Sequence, residues 1–138
     1  MSDFVLDASL ALQWFLEDEV DREYSLEVLA SLSEKRALVP ALWFYEVGNG
    51  LVMANRRNRI SAERIDGFVA RLKDLPVDAA QQMPSDILEL PAVANAHGLT
   101  NYDAAYLALA MRFNLPLATT DNLLRKATVA ARVPIYLI

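Results

Sequence analysis

FVLDASLALQWF, residues 4 to 15, is the stretch that decides the fold. Its apolar run 4–6 is typical of a short buried strand, and after Asp7 a helical pattern of apolar residues follows over 9–16. A strand that leads directly into a helix begins a crossover unit of a parallel sheet. The stretch therefore predicts an α/β fold and places a carboxylate at the carboxyl end of the first strand.

The rest of the chain continues this alternation of strands and helices. The predicted strands are 4–6, 37–39, 76–79, 117–119 and 134–137. The predicted helices are 9–16, about 21–34, about 41–57, one that begins at Ser61, 84–97, 101–113 and 122–130. Short strands separated by helices indicate a sheet that is covered by helices on both faces. We predict one domain over 1–138, a three-layer α/β/α sandwich around a short, mostly parallel sheet of four or five strands.

Composition limits the possible classes of protein. The 138 residues are 54% hydrophobic and include no cysteine, which excludes disulfides, thiolate zinc sites and cysteine nucleophiles. No apolar run approaches the ~20 residues that a bilayer requires, and the N-terminus has no leader pattern, so a soluble cytoplasmic protein without membrane contact is expected. The formal net charge of −5 argues against general attraction to nucleic acid.

Three aspartates stand where a parallel sheet binds ligands, outside the carboxyl ends of its strands at the point where strand order reverses. Asp7 ends the first strand, Asp121 follows the strand 117–119, and Asp103 lies at the start of the helix before that strand. If strand order reverses at the first strand, all three share one rim. Each alone is equally well explained as a helix cap.

Glu46 does not fit a capping role, because it lies well inside the helix predicted over 41–57. Helical spacing puts Trp43, Asn49 and Gly50 beside it, which is too apolar a face for a solvated stripe. A carboxylate that loses hydration there needs a cation. The nearest arginines are two or more helical turns away.

Four carboxylates at one sheet edge would repel each other unless a metal ion lay between them. Oxygen ligands without cysteine select hard ions such as Mg²⁺ or Mn²⁺, which favour phosphate substrates. Such an ion polarises phosphoryl oxygens and acidifies water, so phosphodiester hydrolysis is the natural reaction.

The ordered set of motifs resembles a PIN domain, specifically the VapC-type toxins. The motifs are VLDAS at 5–9, the apolar helix with Glu46-x-x-Asn49, YDAAYLALA at 102–110 and TTD at 119–121. The resemblance implies a divalent-metal endoribonuclease, usually a homodimer, silenced by a small antitoxin protein encoded beside it. It assigns the metal site to Asp7, Glu46, Asp103 and Asp121. It also implies that Ser9 and Thr119 orient carboxylates or water, with Thr120 as an alternative to Thr119.

We therefore expect a toxin ribonuclease that uses Mg²⁺, with Mn²⁺ able to substitute. Asp7, Asp103 and Asp121 are expected to bind one or two ions, and Glu46 to bind or help deprotonate water. Cleavage is expected to leave a 5′-phosphate and a 3′-hydroxyl.

Contact with RNA needs positive charge in spite of the acidic total. The ions would supply some of it at the scissile phosphate. The densest basic cluster follows the Glu46 helix and is the predicted RNA-binding patch: Arg56, Arg57, Arg59 and Arg64.

Two other interpretations stay open. A receiver-like phosphoacceptor domain also carries acids at strand ends, but it needs a carboxylate pair after the first strand, where this chain has Ala8 and Ser9. A non-catalytic interaction module would use the aspartates as caps, and it leaves Glu46 unexplained.

Overall fold

Four short parallel strands form the central sheet. The computed structural model describes Met1–Ile138, with strands β1 (Phe4–Leu6), β2 (Ala37–Val39), β3 (Val77–Ala79) and β4 (Leu117–Ala118). Their spatial order is β3-β2-β1-β4, and every pair is parallel. Strand order therefore reverses at β1, which confirms the predicted α/β fold with its parallel sheet.

Eight helices connect and flank the strands. They are α1 (Ala8–Leu12), α2 (Glu23–Ser31), α3 (Leu42–Arg56), α4 (Ala62–Asp74), α5 (Pro84–Leu88), α6 (Leu90–His97), α7 (Asn101–Phe113) and α8 (Asn122–Ala130). Ser61 caps α4 as its position predicts, because its hydroxyl accepts a hydrogen bond from the Arg64 amide. Gly98 ends α6 with φ +64°, the left-handed conformation that glycine adopts without strain. None of the helices is both long and apolar enough to cross a membrane.

The predicted strand over 134–137 is wrong. Ile135 forms only an isolated parallel bridge with Leu117 at the edge of β4. Leu137 has φ +62°, a left-handed conformation that ends the extended segment. The sheet accordingly has four strands rather than five.

Three predicted helices are wrong in extent. The helix over 84–97 is two helices, because Pro91 in the first turn of α6 has no amide to donate back into α5. The helix over 21–34 starts later, since Asp21 has φ +56°. The helix over 9–16 ends at Leu12, and the guanidinium of Arg22 binds the carbonyl oxygens that follow it.

The core is built around β1, whose three residues are fully buried. Helix α7 packs on this strand and buries six of its thirteen residues, which accounts for its nearly continuous apolar sequence. Helix α1 packs against α3 and so places the chain after Asp7 beside the helix that carries Glu46. The fold thereby brings the first strand, α3 and α7 to one edge of the sheet.

Candidate functional site

All four predicted acids line one cavity at the carboxyl ends of β1 and β4. This cavity, called the acidic cavity below, has a volume of about 310 Å³. Its ionisable lining consists of Asp7, Glu46, Asp103 and Asp121. The amide of Asp7 donates to the Ala118 carbonyl at 3.0 Å, so pairing of the two strands extends to the cavity's edge.

Asp7 is buried, with an exposed fraction of 4%, although it stands at the N-cap position of α1. Its side chain makes no capping hydrogen bond; instead, its Oδ2 accepts from the Ser9 hydroxyl at 2.5 Å and from the Thr119 hydroxyl at 2.7 Å. Burial raises the pKa of Asp7, and the two hydroxyls partly oppose that effect. Capping therefore does not explain this residue.

Thr119 links the two strand ends. Its fully buried hydroxyl donates to Asp7 and accepts from the Asp121 amide at 3.0 Å. Thr120 makes no such contact, and it lines a neighbouring cavity. Of the two threonines considered from the sequence, only Thr119 orients a carboxylate of the acidic cavity.

Glu46 is half-buried and is held by Tyr106 of α7. The Tyr106 hydroxyl, on a residue with no exposed surface, donates to Glu46 Oε1 at 2.5 Å. Burial raises the pKa of Glu46, the hydrogen bond lowers it, and the charge of Asp7 raises it further. Sequence analysis missed Tyr106, although its position three residues after Asp103 puts both on the same face of a helix.

Asp103 faces the cavity without capping its own helix. Thr100 caps α7, because its hydroxyl accepts from the Asp103 amide at 3.1 Å. Burial, followed by repulsion from Asp7, Asp121 and Glu46, raises the pKa of Asp103 to about 6. The side chain thus experiences the charge of the other three carboxylates.

Asp121 does cap a helix. Its Oδ1 accepts a hydrogen bond from the Leu123 amide at 3.3 Å at the start of α8. The capping interpretation is therefore right for Asp121, and it is compatible with a place in the cavity lining because the second oxygen is not used by the cap.

No basic side chain balances these acids. The five ion pairs of the structure all lie elsewhere, and none includes a carboxylate of the acidic cavity. The donor set of carboxylate oxygens suits a hard divalent cation. No three of the acidic or histidine side chains are arranged closely enough to form a ready metal site. The four carboxylates repel one another, so they would come close enough to ligate one ion only when a cation is bound between them.

The predicted basic patch is divided between paired and unpaired arginines. Arg59 binds Asp18 through two hydrogen bonds of 2.7 and 2.8 Å and also contacts Glu19 at 3.2 Å. Arg64 pairs with Glu17 at 3.1 Å. The charges of these two arginines are thus largely balanced by the acidic turn after α1. Arg56 and Arg57 are exposed and form no ion pair.

Comparisons with known proteins found one family model and solved structures that match this chain. The family model described as PIN domain matches residues 4–129. A solved structure titled "Crystal Structure of PAE2754 from Pyrobaculum aerophilum" is similar, with a TM-score of 0.71 and 23% sequence identity over 91% of this chain and 84% of that chain. At this identity the likeness supports the fold alone. A comparison with curated protein sequences finds no match.

Proposed function

Because this chain belongs to the PIN domain family, whose members are generally metal-dependent nucleases, we propose that it is an endoribonuclease whose catalytic centre is the acidic cavity. One observation supports this most directly: four carboxylates from different parts of the chain line a single cavity without any basic partner. Acids whose pKa values are raised by burial and by neighbouring like charges cluster at functional sites. We further propose that the protein is the toxin of a toxin-antitoxin pair.

We assign the binding of one or two Mg²⁺ ions, or Mn²⁺ in their place, to the four carboxylates of the acidic cavity. When bound, such an ion polarises the phosphodiester and lowers the pKa of water. The chain's own contribution is to hold the ligands in place. Ser9 and Thr119 would fix Asp7, and Tyr106 would fix Glu46, much as outer hydrogen bonds orient metal ligands in other proteins.

Glu46 is the proposed proton acceptor. Its raised pKa brings a carboxylate closer to the basicity that a general base needs near neutral pH. As a water molecule loses its proton to Glu46, its oxygen attacks phosphorus, and the bond from phosphorus to the 3′ oxygen breaks. The departing oxygen takes up a proton to become a 3′-hydroxyl, and the other product carries the 5′-phosphate.

The ends of the cleaved RNA test this mechanism. With Mg²⁺, the protein should cut single-stranded RNA to fragments that all carry 5′-phosphates and 3′-hydroxyls, because water rather than the 2′-hydroxyl is the nucleophile. Mass spectrometry of a cut synthetic oligonucleotide measures both ends, with EDTA and an Asp7→Asn variant as controls. A 2′,3′-cyclic phosphate would contradict the mechanism. Absence of any metal-dependent cleavage would favour the non-catalytic interaction module.

We also propose two protein partners, a second copy of the chain and a small antitoxin. Support comes from apolar side chains that α3 and α4 leave exposed, namely Phe44, Tyr45, Val52 and Val69. A cavity of about 220 Å³ with a mostly apolar lining lies between these helices and includes Phe44 and Val69. Surfaces of this kind are typical of partner binding.

A Val69→Glu substitution tests these partners. The wild-type protein should have twice the 15.4 kDa chain mass by light scattering, and the product of a short reading frame beside its gene should inhibit it. A charged side chain in this apolar cavity should abolish dimerisation, inhibition by the antitoxin, or both. RNA cleavage should persist, because the apolar cavity shares no residue with the acidic cavity. If Val69→Glu still dimerises and is still inhibited, the apolar cavity is not the partner site.

A further inference from the structure

A second cavity lies directly beside the acidic cavity. It has a volume of about 350 Å³ and is called the arginine cavity, because Arg57 and Arg59 are part of its lining. The two cavities share Ser9, Leu12 and Gly50. They are therefore adjacent, with residues of α1 and α3 in the lining of both.

Gly50 allows α1 and α3 to approach each other closely between the two cavities. A Cβ atom at this position would lie 2.5 Å from both Leu12 Cδ1 and Leu12 Cδ2, so the two helices approach more closely than any other residue would allow without displacing Leu12. Since Ser9 is also small, the Leu12 side chain is the only bulky group in the shared wall. Because Leu12 lines both cavities, an extended ligand that lies across this side chain would contact both.

The two cavities differ in charge. The acidic cavity carries four carboxylates, whereas the arginine cavity carries two guanidinium groups and the carboxylate of Glu19. Arg59 is held by its ion pairs with Asp18 and Glu19, which leave it little net charge to offer. Arg57 is exposed and forms no ion pair, so its positive charge remains available to an anionic ligand.

Two neutral polar side chains complete the arginine cavity. Gln13 is part of the lining, and its buried Oε1 accepts no hydrogen bond within the chain. Thr120 lies in the same lining and has a hydroxyl group. RNA offers suitable donors in its 2′-hydroxyl and in the amino groups of its bases. A nucleotide therefore matches both the charge and the unused hydrogen-bonding capacity of this cavity.

We propose that the arginine cavity is a binding subsite for the nucleotide adjacent to the scissile phosphate. Arg57 contacts the phosphate of that nucleotide, and Gln13 and Thr120 face its sugar or base. This inference rests on the proposed function, because it takes the acidic cavity as the place where RNA is cut. It also explains how an acidic protein contacts RNA, since the charge that matters lies one nucleotide from the carboxylates.

Binding of RNA without cleavage provides the first test. The probe is a short single-stranded RNA with a fluorescent label, bound to the Asp7→Asn protein and followed by anisotropy at several salt concentrations. An added Arg57→Gln substitution should weaken binding roughly threefold to tenfold and reduce the slope of log Kd against log salt by about 0.7, as expected for the loss of one phosphate contact. Arg71→Gln is the matched control, because Arg71 is an exposed arginine of α4 that lies in neither cavity.

Cleavage kinetics provide the second test. In the otherwise wild-type protein with Mg²⁺, Arg57→Gln should raise KM about fivefold with kcat within about twofold, because Arg57 lies outside the acidic cavity. If wild-type protein cleaves RNA and Arg57→Gln behaves as Arg71→Gln does, the subsite is overturned while the proposed function stands. Equal weakening by Arg56→Gln would indicate diffuse charge at the end of α3 and would also overturn it. If the wild-type protein cuts no RNA, both the proposed function and the subsite fail.

Discussion

An Asp7→Asn variant is expected to lose RNA cleavage by about 10³-fold while it keeps its fold. The carboxylate is buried in the lining of the acidic cavity, and its loss removes a proposed ligand of the metal ions, which would lower the energy of the charged transition state by several kcal/mol. Each factor of ten in rate corresponds to about 1.4 kcal/mol. Initial rates on a labelled RNA, over a range of Mg²⁺ concentrations, measure the effect.

The same variant should be at least as stable as the wild type in EDTA. Asparagine keeps an oxygen that can accept from the Ser9 and Thr119 hydroxyls, and it removes a buried charge that burial itself disfavours. Thermal unfolding followed by circular dichroism checks this. The matched control is Asp66→Asn, an exposed acid of α4 that should change neither activity nor stability. Full activity in Asp7→Asn would remove the acidic cavity from the mechanism.

Much of the fold follows from local pattern. The buried strand 4–6, the carboxylate after it and the helices 101–113 and 122–130 are all present in the structure. Because parallel strands present their carboxyl ends at one edge, the positions of Asp7 and Asp121 could be related without knowledge of any contact. Apolar periodicity and turn residues carry this information, and both are properties of neighbouring residues in the chain.

Contacts between distant residues were beyond such reasoning. Tyr106 reaches Glu46 across 60 positions, and Arg59 reaches Asp18 across 41. These pairs depend on how helices pack, which periodicity does not specify. The choice of Thr119 over Thr120 depends on which side of the chain faces Asp7 where β4 ends, and a shift of one residue reverses that side. The acids of the site were therefore predictable, and the family resemblance also indicated Ser9 and Thr119, whereas Tyr106, the hydroxyl that holds Glu46, was missed.

The hydrogen bonds from these hydroxyls affect the charge states of the acids in the cavity. Three acids of the cavity accept hydrogen bonds from neighbouring groups: Asp7 from Ser9 and Thr119, Glu46 from Tyr106, and Asp121 from the Leu123 amide. Hydrogen bonds to a carboxylate favour its charged form. For Asp103, burial and the charges of Asp7, Asp121 and Glu46 outweigh the lowering by the Thr100 hydroxyl and raise the pKa to about 6. A bound cation would favour the charged form of this carboxylate.

Asp103→Asn is accordingly expected to change how the stability of the metal-free protein depends on pH. The pKa of Asp103 rises from 3.8 to about 6 on folding, so the folded state binds more protons than the unfolded state between those values. The stabilising contribution of protonated Asp103 is complete below pH 3.8 and is lost as pH rises through about 6. Because the side chain is partly exposed, solvent screening reduces the effect to about 1 kcal/mol, or roughly 4 °C in Tm.

The measurement is Tm in EDTA from pH 4.5 to about 7.5 for the wild type and for Asp103→Asn. The wild type should fall relative to the variant as pH rises, since asparagine resembles the protonated acid and does not titrate. Exposed ion pairs such as Arg36–Asp78 act in both proteins and cancel in the difference. Added Mg²⁺ should restore the wild-type Tm near pH 7 and raise the Tm of the variant less, because the variant keeps only three of the four carboxylates that would bind the cation. RNA cleavage by the variant should fall by about 10²-fold or more, because the variant lacks one of the carboxylates proposed to bind the cation.

Parallel Tm curves for the two proteins would show that Asp103 does not experience the other three charges, and the case for a shared cation in this cavity would then fail.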